Sequence, residues 1–409
     1  MDEGIKQIIL SLEVIYSPQS NNDQRHKAQF FLDGLKKLPE SPFYGYQLAN
    51  PDNNKFNYIV RHFGLNLLLN SITTNYATWD LEKRITVRNW VVELATKTDV
   101  ADPNYLKEKI AFIWSELAKR CWGACLTSNA LAKFTDEMKL ESWADMDNNL
   151  LEMWNHNTVT RNLTLIILRC LFEDVYLLDD PIVAQRTSVL NSLCPEIVIS
   201  EDILLLQYEA NESIRTFASN SEGWLLKWCS YLDDCVNVLL KQGISATEKE
   251  AANTSICKIL HVMRTSLYWI LPLALRGSHV LTKLMMLIQL PAMDIKVKIL
   301  TIDCLQIIFT RPYNNPNDFD DILGVVFQTQ GLEVLFNLFQ SIVLNPDDVD
   351  ENDYSLMKKL VEMIVGLSEY LQAEADKDKS KMRQAQTTTL IILPTIPTTT
   401  TIPLQIPTP

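Results

Sequence analysis

Five histidines and eight cysteines are the side chains in this 409-residue sequence best suited to ligand or nucleophile chemistry. His26, His62, His156, His261 and His279 stand singly, with no HExxH and no paired Cys/His spacing. A metal site needs three or four such donors brought together, so none is expected. Cys121 and Cys125 are four apart, a spacing that puts both on one helix face. Packing thiols are the expected reading of that pair, since a reduced compartment leaves such cysteines as small apolar residues. The carboxylate pairs Glu173-Asp174 and Asp179-Asp180 bracket a helix end and the next helix start, and an N-cap role accounts for Asp180. Nucleophile elbows, phosphate loops and dinucleotide fingerprints are missing. The chain is therefore expected to be no enzyme, with no catalytic residue and no cofactor.

The elements around these residues read as helices. Hydrophobic residues make up 47% and charged residues 21% of the chain, which allows a large core. Glycine supplies only 11 of 409 residues, against a usual share of about 7%. Folds that spend glycine on turns and phosphate cradles fit that poorly. Apolar stripes at helical spacing recur: Phe56, Ile59, Val60, Phe63 and Leu67; Leu106, Ile110, Ile113, Leu117 and Cys121; Leu163, Ile166, Ile167, Cys170 and Leu171. Ser41-Pro42, Asp102-Pro103 and Asp180-Pro181 each place a capping side chain before a proline suited to the first helical turn. Helices are expected at 3–16, 22–38, 42–50, 54–72, 81–97, 103–122, 143–156, 159–178, 181–191, 223–241, 247–264, 279–290, 293–310, 317–344 and 353–375. Helices of this length joined by short turns stack as antiparallel pairs, and the two-helix rhythm is that of HEAT repeats. Most tryptophans, including Trp114, Trp122, Trp143, Trp154, Trp224 and Trp228, fall on apolar stripes and are expected in the core.

Net charge is −13, a balance that repels phosphate backbones and suits a basic protein partner better. This stretch alone is expected to bind RNA weakly. The N-terminus has no basic segment leading a long apolar one, so no secretory signal is read there. The most apolar window, 266–290, is broken by Pro272 and charged at Arg276 and Lys283, so no membrane insertion is expected. Asp347, Asp348, Asp350, Glu351 and Asp353 form an acidic run, read first as a solvated loop between repeats. From Gln384 the sequence turns to Thr, Pro and Ile with no charge, and it is expected to be a disordered tail.

Residues 25–79 resemble the importin-β N-terminal domain, through Arg25, Ala28, Leu32, Pro42-Phe43, Val60-Arg61, Leu65, Leu68-Leu69-Asn70, Ile72 and Trp79. Leu69 stands where that family often has lysine. YLKEKIAFIWSELAKRCWG at 105–123 is similar to the exportin-1-like region. SWADMDNNLLEMWN at 142–155, LFEDVYLLDDPIVAQR at 171–186 and TRPYN at 310–314 are similar to the exportin-5 group and its fungal relatives. The resemblance implies an all-α HEAT-repeat superhelix ending in the Thr/Pro-rich tail. It divides into importin-β-like repeats that meet Ran (1–100), exportin-1-like repeats (101–270), further HEAT-like repeats (271–383) and the tail (384–409). It implies a nuclear transport receptor, an exportin, that binds Ran-GTP, Phe-Gly nucleoporins and cargo such as phosphorylated proteins or small structured RNA. Such a receptor shuttles between nucleus and cytoplasm as a monomer. Receptors of this kind are more than twice as long, so the chain is expected to be a truncated N-terminal portion. Ran contacts are expected on inner helices within 54–72, 81–97 and 103–122, at polar positions such as Arg61, Asn66, Asn70 and Arg88. Helix pairs alone also fit a HEAT-type scaffold or adaptor unrelated to transport; the ordered blocks at 25–79 and 105–123 favour the receptor.

Overall fold

The computed structural model describes residues 3–54, 57–127, 135–210, 215–290, 293–313, 331–343 and 353–369, with single positions at 322, 324, 351 and 372. All regular structure among the described residues is helical. The elements run α1 (Glu3–Tyr16), α2 (Asn22–Leu35), α3 (Ser41–Ala49), α4 (Pro51–Asn54), α5 (Tyr58–Asn75), α6 (Leu81–Thr96), α7 (Asn104–Cys121), α8 (Asp136–Glu141) and α9 (Met146–His156). They continue as α10 (Thr158–Tyr176), α11 (Pro181–Val198), α12 (Glu201–Gln207), α13 (Trp224–Leu239), α14 (Ala246–Ser266), α15 (Pro272–Gly277), α16 (Val280–Gln289) and α17 (Ile295–Thr310). Gly331–Val343 is helical, as is 353–369. The acidic positions 347, 348 and 350 and the Thr/Pro stretch from 384 lie outside the described residues.

The helices pair as α1/α2, α3/α5, α6/α7, α9/α10, α13/α14 and α16/α17. The second members of the last five pairs, α5, α7, α10, α14 and α17, also pack successively on one another and form one continuous row. Contacts along the other row (α3, α6, α9, α13 and α16) are much sparser. A curved two-layer stack brings its inner helices closer than its outer ones, and on that ground we assign the closely packed α5-to-α17 row to the inner, concave side. This is the helical-repeat solenoid expected from the rhythm. Helix 81–97 was expected among the inner helices; α6 instead lies in the outer row, with α5 and α7 on the inner one.

One hydrophobic core runs without a break from Ala49 to Leu367, and a smaller one joins α1, α2, α3 and α5 through Ile8, Leu12, Leu32, Leu48 and Leu67. Trp114, Trp122, Trp143, Trp154, Trp224 and Trp228 are all buried, as their stripes predict. α3 crosses α5 closely where Gly45 and Gly64 face each other. A Cβ at Gly64 would lie 2.6 Å from both the Ala49 nitrogen and the Gly45 oxygen. The chain turns off α7 at Gly123, whose φ of +67° suits glycine.

Of the three proline-marked helix starts, only α11 uses the expected cap: the Asp180 carboxylate accepts from the Ile182 and Val183 N–H groups at 2.8 and 3.0 Å. Ser41 is already the first residue of α3, and its hydroxyl accepts from Ser71 across the pair. Asp102 does not cap α7; it is drawn away by an arginine. Cys121 and Cys125 do not share a helix face either. α7 stops at Cys121, and Cys125 sits in the following 3-10 turn, both thiols buried.

Candidate partner-binding face

Two buried charge systems hold the inner row in register. On α5, the Arg61 guanidinium is 2% exposed and grips Asp102 through both carboxylate oxygens, at 2.5 and 3.0 Å. Its Nε donates to the Ala49 carbonyl at 3.2 Å. One side chain thereby ties the end of α3, the body of α5 and the loop into α7. Asp102 in turn accepts from the Asp99 N–H at 3.0 Å, closing that loop.

The second system centres on Lys119 of α7, 1% exposed. Its ammonium lies 2.6 Å from Glu116, 2.8 Å from Asp174 on α10 and 2.6 Å from Asp180 at the start of α11. Arg120 pairs with the far side of Glu116, and the Ser115 hydroxyl donates to Asp174 at 2.9 Å. Arg186 of α11 donates to the Lys119 and Trp122 carbonyls at 2.7 and 2.5 Å. Burial pulls the Lys119 pKa down, but the three carboxylates outweigh it and hold the group above the ordinary lysine value. Burial likewise pushes Asp180 up, and its bond to Lys119 reverses this, so the carboxyl is held low. Glu116, Asp174 and Asp180 come close enough to chelate a cation; here the lysine ammonium fills that place. One member of each carboxylate pair noted in the sequence, Asp174 and Asp180, belongs to this centre. The i, i+3 spacing of Glu116 and Lys119 was visible in the sequence, but their partners are about sixty residues away.

The four expected contact residues are placed unequally. Arg61 is enclosed by the ion pair just described. Arg88 on α6 is 5% exposed, donates to the Leu140 carbonyl at 2.7 Å and lies over the Trp143 ring at 5.8 Å. Neither guanidinium reaches the surface, because each is claimed by the neighbouring turn. Asn66 and Asn70 lie one turn apart on α5, both half-buried. The Asn66 amide meets the His62 ring at 3.4 Å. His62 packs edge-on against Tyr105 of α7 at 5.4 Å, so these polar groups sit along the α5/α7 seam of the inner row. Burial and nearby Lys109 keep the His62 imidazole below its ordinary pKa, hence neutral at physiological pH.

Comparison with known proteins supplies the name of this architecture. Over 364 residues, covering 88% of this chain, it is 38% identical to Protein MSN5 of Saccharomyces cerevisiae. It is 25% identical to Exportin-5 of Mus musculus over 42% of the chain, and 26% identical to Exportin-5 of Dictyostelium discoideum over 29%. The chain is a relative of the exportin-5 group of karyopherins. It spans 28% of the length of the yeast relative, 13% of the mouse one and 10% of the Dictyostelium one. No family model matches the chain. Among the described residues no helix of this exportin relative is long and apolar enough to cross a membrane.

Proposed function

We propose that this exportin relative is part of a nuclear export receptor that takes up Ran-GTP on the α5/α7 end of its concave row and holds cargo along the rest. The similarity to Protein MSN5 over 88% of the chain and to Exportin-5 proteins over 29% and 42% of it, laid on a two-row helical stack, is what supports the reading. Asn66 and Asn70 are the proposed contacts. Arg61 and Arg88 support them from behind, fixing α5 and α6 rather than touching the GTPase. Discrimination between nucleotide states requires contact with the switch segments that the γ-phosphate orders. The cargo classes are phosphorylated proteins or small structured RNA, and Phe-Gly nucleoporins carry the monomeric receptor between nucleus and cytoplasm.

A pull-down of the chain with Ran loaded with GTP or GDP tests this. Retention of the GTP form alone is expected, weaker than for a receptor that adds contacts from further repeats. Equal retention of both forms, or of neither at micromolar concentration, rejects it.

A further inference from the structure

Three places in the chain set a hydroxyl residue directly before proline, the pattern that proline-directed protein kinases read: Ser17-Pro18, Ser41-Pro42 and Thr408-Pro409. Ser41 is fully buried within α3, its hydroxyl already bonded to Ser71, and position 408 lies outside the described residues. Ser17 stands differently. It opens the turn from α1 into α2, with Tyr16, Pro18 and Gln19 exposed around it. A proline disfavours helix at the residue before it, so α1 stops at Tyr16 and Ser17 falls outside the helix. Pro18 then takes the second position of a tight turn, closed by the Ser20 N–H donating to the Ser17 carbonyl at 3.3 Å. The Ser17 hydroxyl accepts from the Gln19 N–H at 3.2 Å, which leaves its own proton to give.

An arginine without a counter-charge stands across this turn. Arg25 of α2 donates from one terminal nitrogen to the Ser17 carbonyl at 2.9 Å. Among the described residues its guanidinium makes no ion pair, and its Nε is buried without a hydrogen-bond partner. The acids on the flanking helices leave it unneutralised. Asp23 is held by Lys27 at 2.8 Å, and Glu13 is exposed one turn before Ser17 on α1. A guanidinium meets a phosphate through parallel N–H bonds, a match that a neutral carbonyl uses only in part. A phosphate on the Ser17 oxygen hangs from the same residue that this guanidinium already touches.

We propose that Ser17 is a phosphorylation site and that Arg25 grips the phosphate, so that modification clamps the α1/α2 turn. The Ser17 oxygen attacks the γ-phosphorus of a nucleoside triphosphate held by the kinase. The P–O bond to the departing diphosphate breaks, the hydroxyl proton leaves to the kinase's base, and nothing is oxidised or reduced. The phosphate brings a charge of about −1.5 to −2 at neutral pH, which Arg25 offsets in part. Because α1 packs on α3 and α5 as well as on α2, a stiffer turn stiffens the N-terminal end of the stack. The proposal does not depend on Ran or cargo binding.

The test takes a proline-directed kinase that modifies a synthetic peptide of residues 11–24 and applies it, with ATP, to the full folded chain. Tandem mass spectrometry should place a phosphate on Ser17, and none should appear there in Ser17→Ala. A phosphorus-31 titration then reads the clamp without any substitution. An opposite charge favours the dianion, so phosphoserine in the folded chain should titrate at least about half a pH unit lower than in urea. Arg25→Gln should remove most of that difference and Arg25→Lys should keep part of it, with thermal melts establishing that each variant is folded. Hydrogen exchange across residues 17–25 should slow roughly tenfold on phosphorylation, the scale of one bond to a charged group, and only with Arg25 present. A folded chain left unmodified at Ser17, or modified only at Thr408, overturns the proposal. So does a phosphoserine that titrates alike in the folded and the unfolded chain, or one whose titration ignores Arg25→Gln.

Discussion

Replacing Lys119 with methionine keeps the length of the side chain and removes its charge, leaving Glu116, Asp174 and Asp180 together with Arg120 as the nearest cation. Because the lysine side chain is 1% exposed, water cannot take over its role. Removing one partner from a buried ion pair costs about 3–5 kcal/mol. At about 2–4 °C per kcal/mol for a cooperative unit of 150–250 residues, the melting midpoint should fall by roughly 6–20 °C. The pH dependence carries a sharper signature. The parent's Lys119 pKa is raised, so its contribution is complete below the unfolded lysine value of about 10.4 and is lost only as pH rises through the higher folded value. The parent's Asp180 is held low, so its contribution is complete above the unfolded value of about 3.9 and is lost as pH falls through the folded one. The cluster therefore adds no slope to the parent's stability between about pH 5 and 8. In Lys119→Met the Asp180 carboxyl, still partly buried beside other acids, rises above its unfolded value. The native variant then binds protons more readily than the unfolded chain, and its stability increases as pH falls. Far-UV circular dichroism melts of both proteins from pH 8 to 5 should show the gap narrowing. A variant within about 0.5 kcal/mol of the parent, or a gap that stays constant with pH, refutes the reasoning.

Gly64→Ala should destabilise the α3/α5 pair by about 1–3 kcal/mol or prevent its docking, since the new Cβ meets backbone on both sides and no side chain can move aside; a urea titration reads it. Asp102→Ala should cost about 3–5 kcal/mol, as expected for stranding the buried Arg61 charge, and not the roughly 1 kcal/mol of a lost helix cap. Thiol labelling should be slow in the native chain and complete for all eight cysteines after unfolding. Seven are buried, and burial pushes Cys194 and Cys229 up to about 12 and Cys170 and Cys235 up to about 11. Half-buried Cys257 should react first; rapid labelling of several sites would contradict the packing.

Helix periodicity was legible because each repeat buries its own stripe, and α1, α6, α7, α10 and α17 match their expected spans to within two residues. Helix boundaries set by tertiary contacts were not. Expected to end at 191, α11 continues through Pro195 to Val198 and is kinked at Arg186, whose guanidinium is engaged with the end of α7. The short α8 and α12 carry too few turns to show a period. Asp102 and Ser41 have good capping chemistry, yet each is taken by a partner forty or thirty residues away. The same limit governs the candidate face. Arg61 and Arg88 look like surface cations because they lie off the apolar stripes, and only the packed structure reveals that Asp102, Leu140 and Trp143 enclose them.

Hydrogen exchange of the chain alone, with Ran-GDP and with Ran-GTP, tests the central claim most directly. The account predicts that Ran-GTP, and not Ran-GDP, slows exchange in peptides covering Tyr58–Asn75 and Asn104–Cys121, the α5 and α7 segments of the concave row. It also predicts that replacing Asn66 and Asn70 by aspartate weakens that protection without lowering the melting midpoint. Protection confined to the outer row (α3, α6 and α9), or the same protection with either nucleotide, would contradict it.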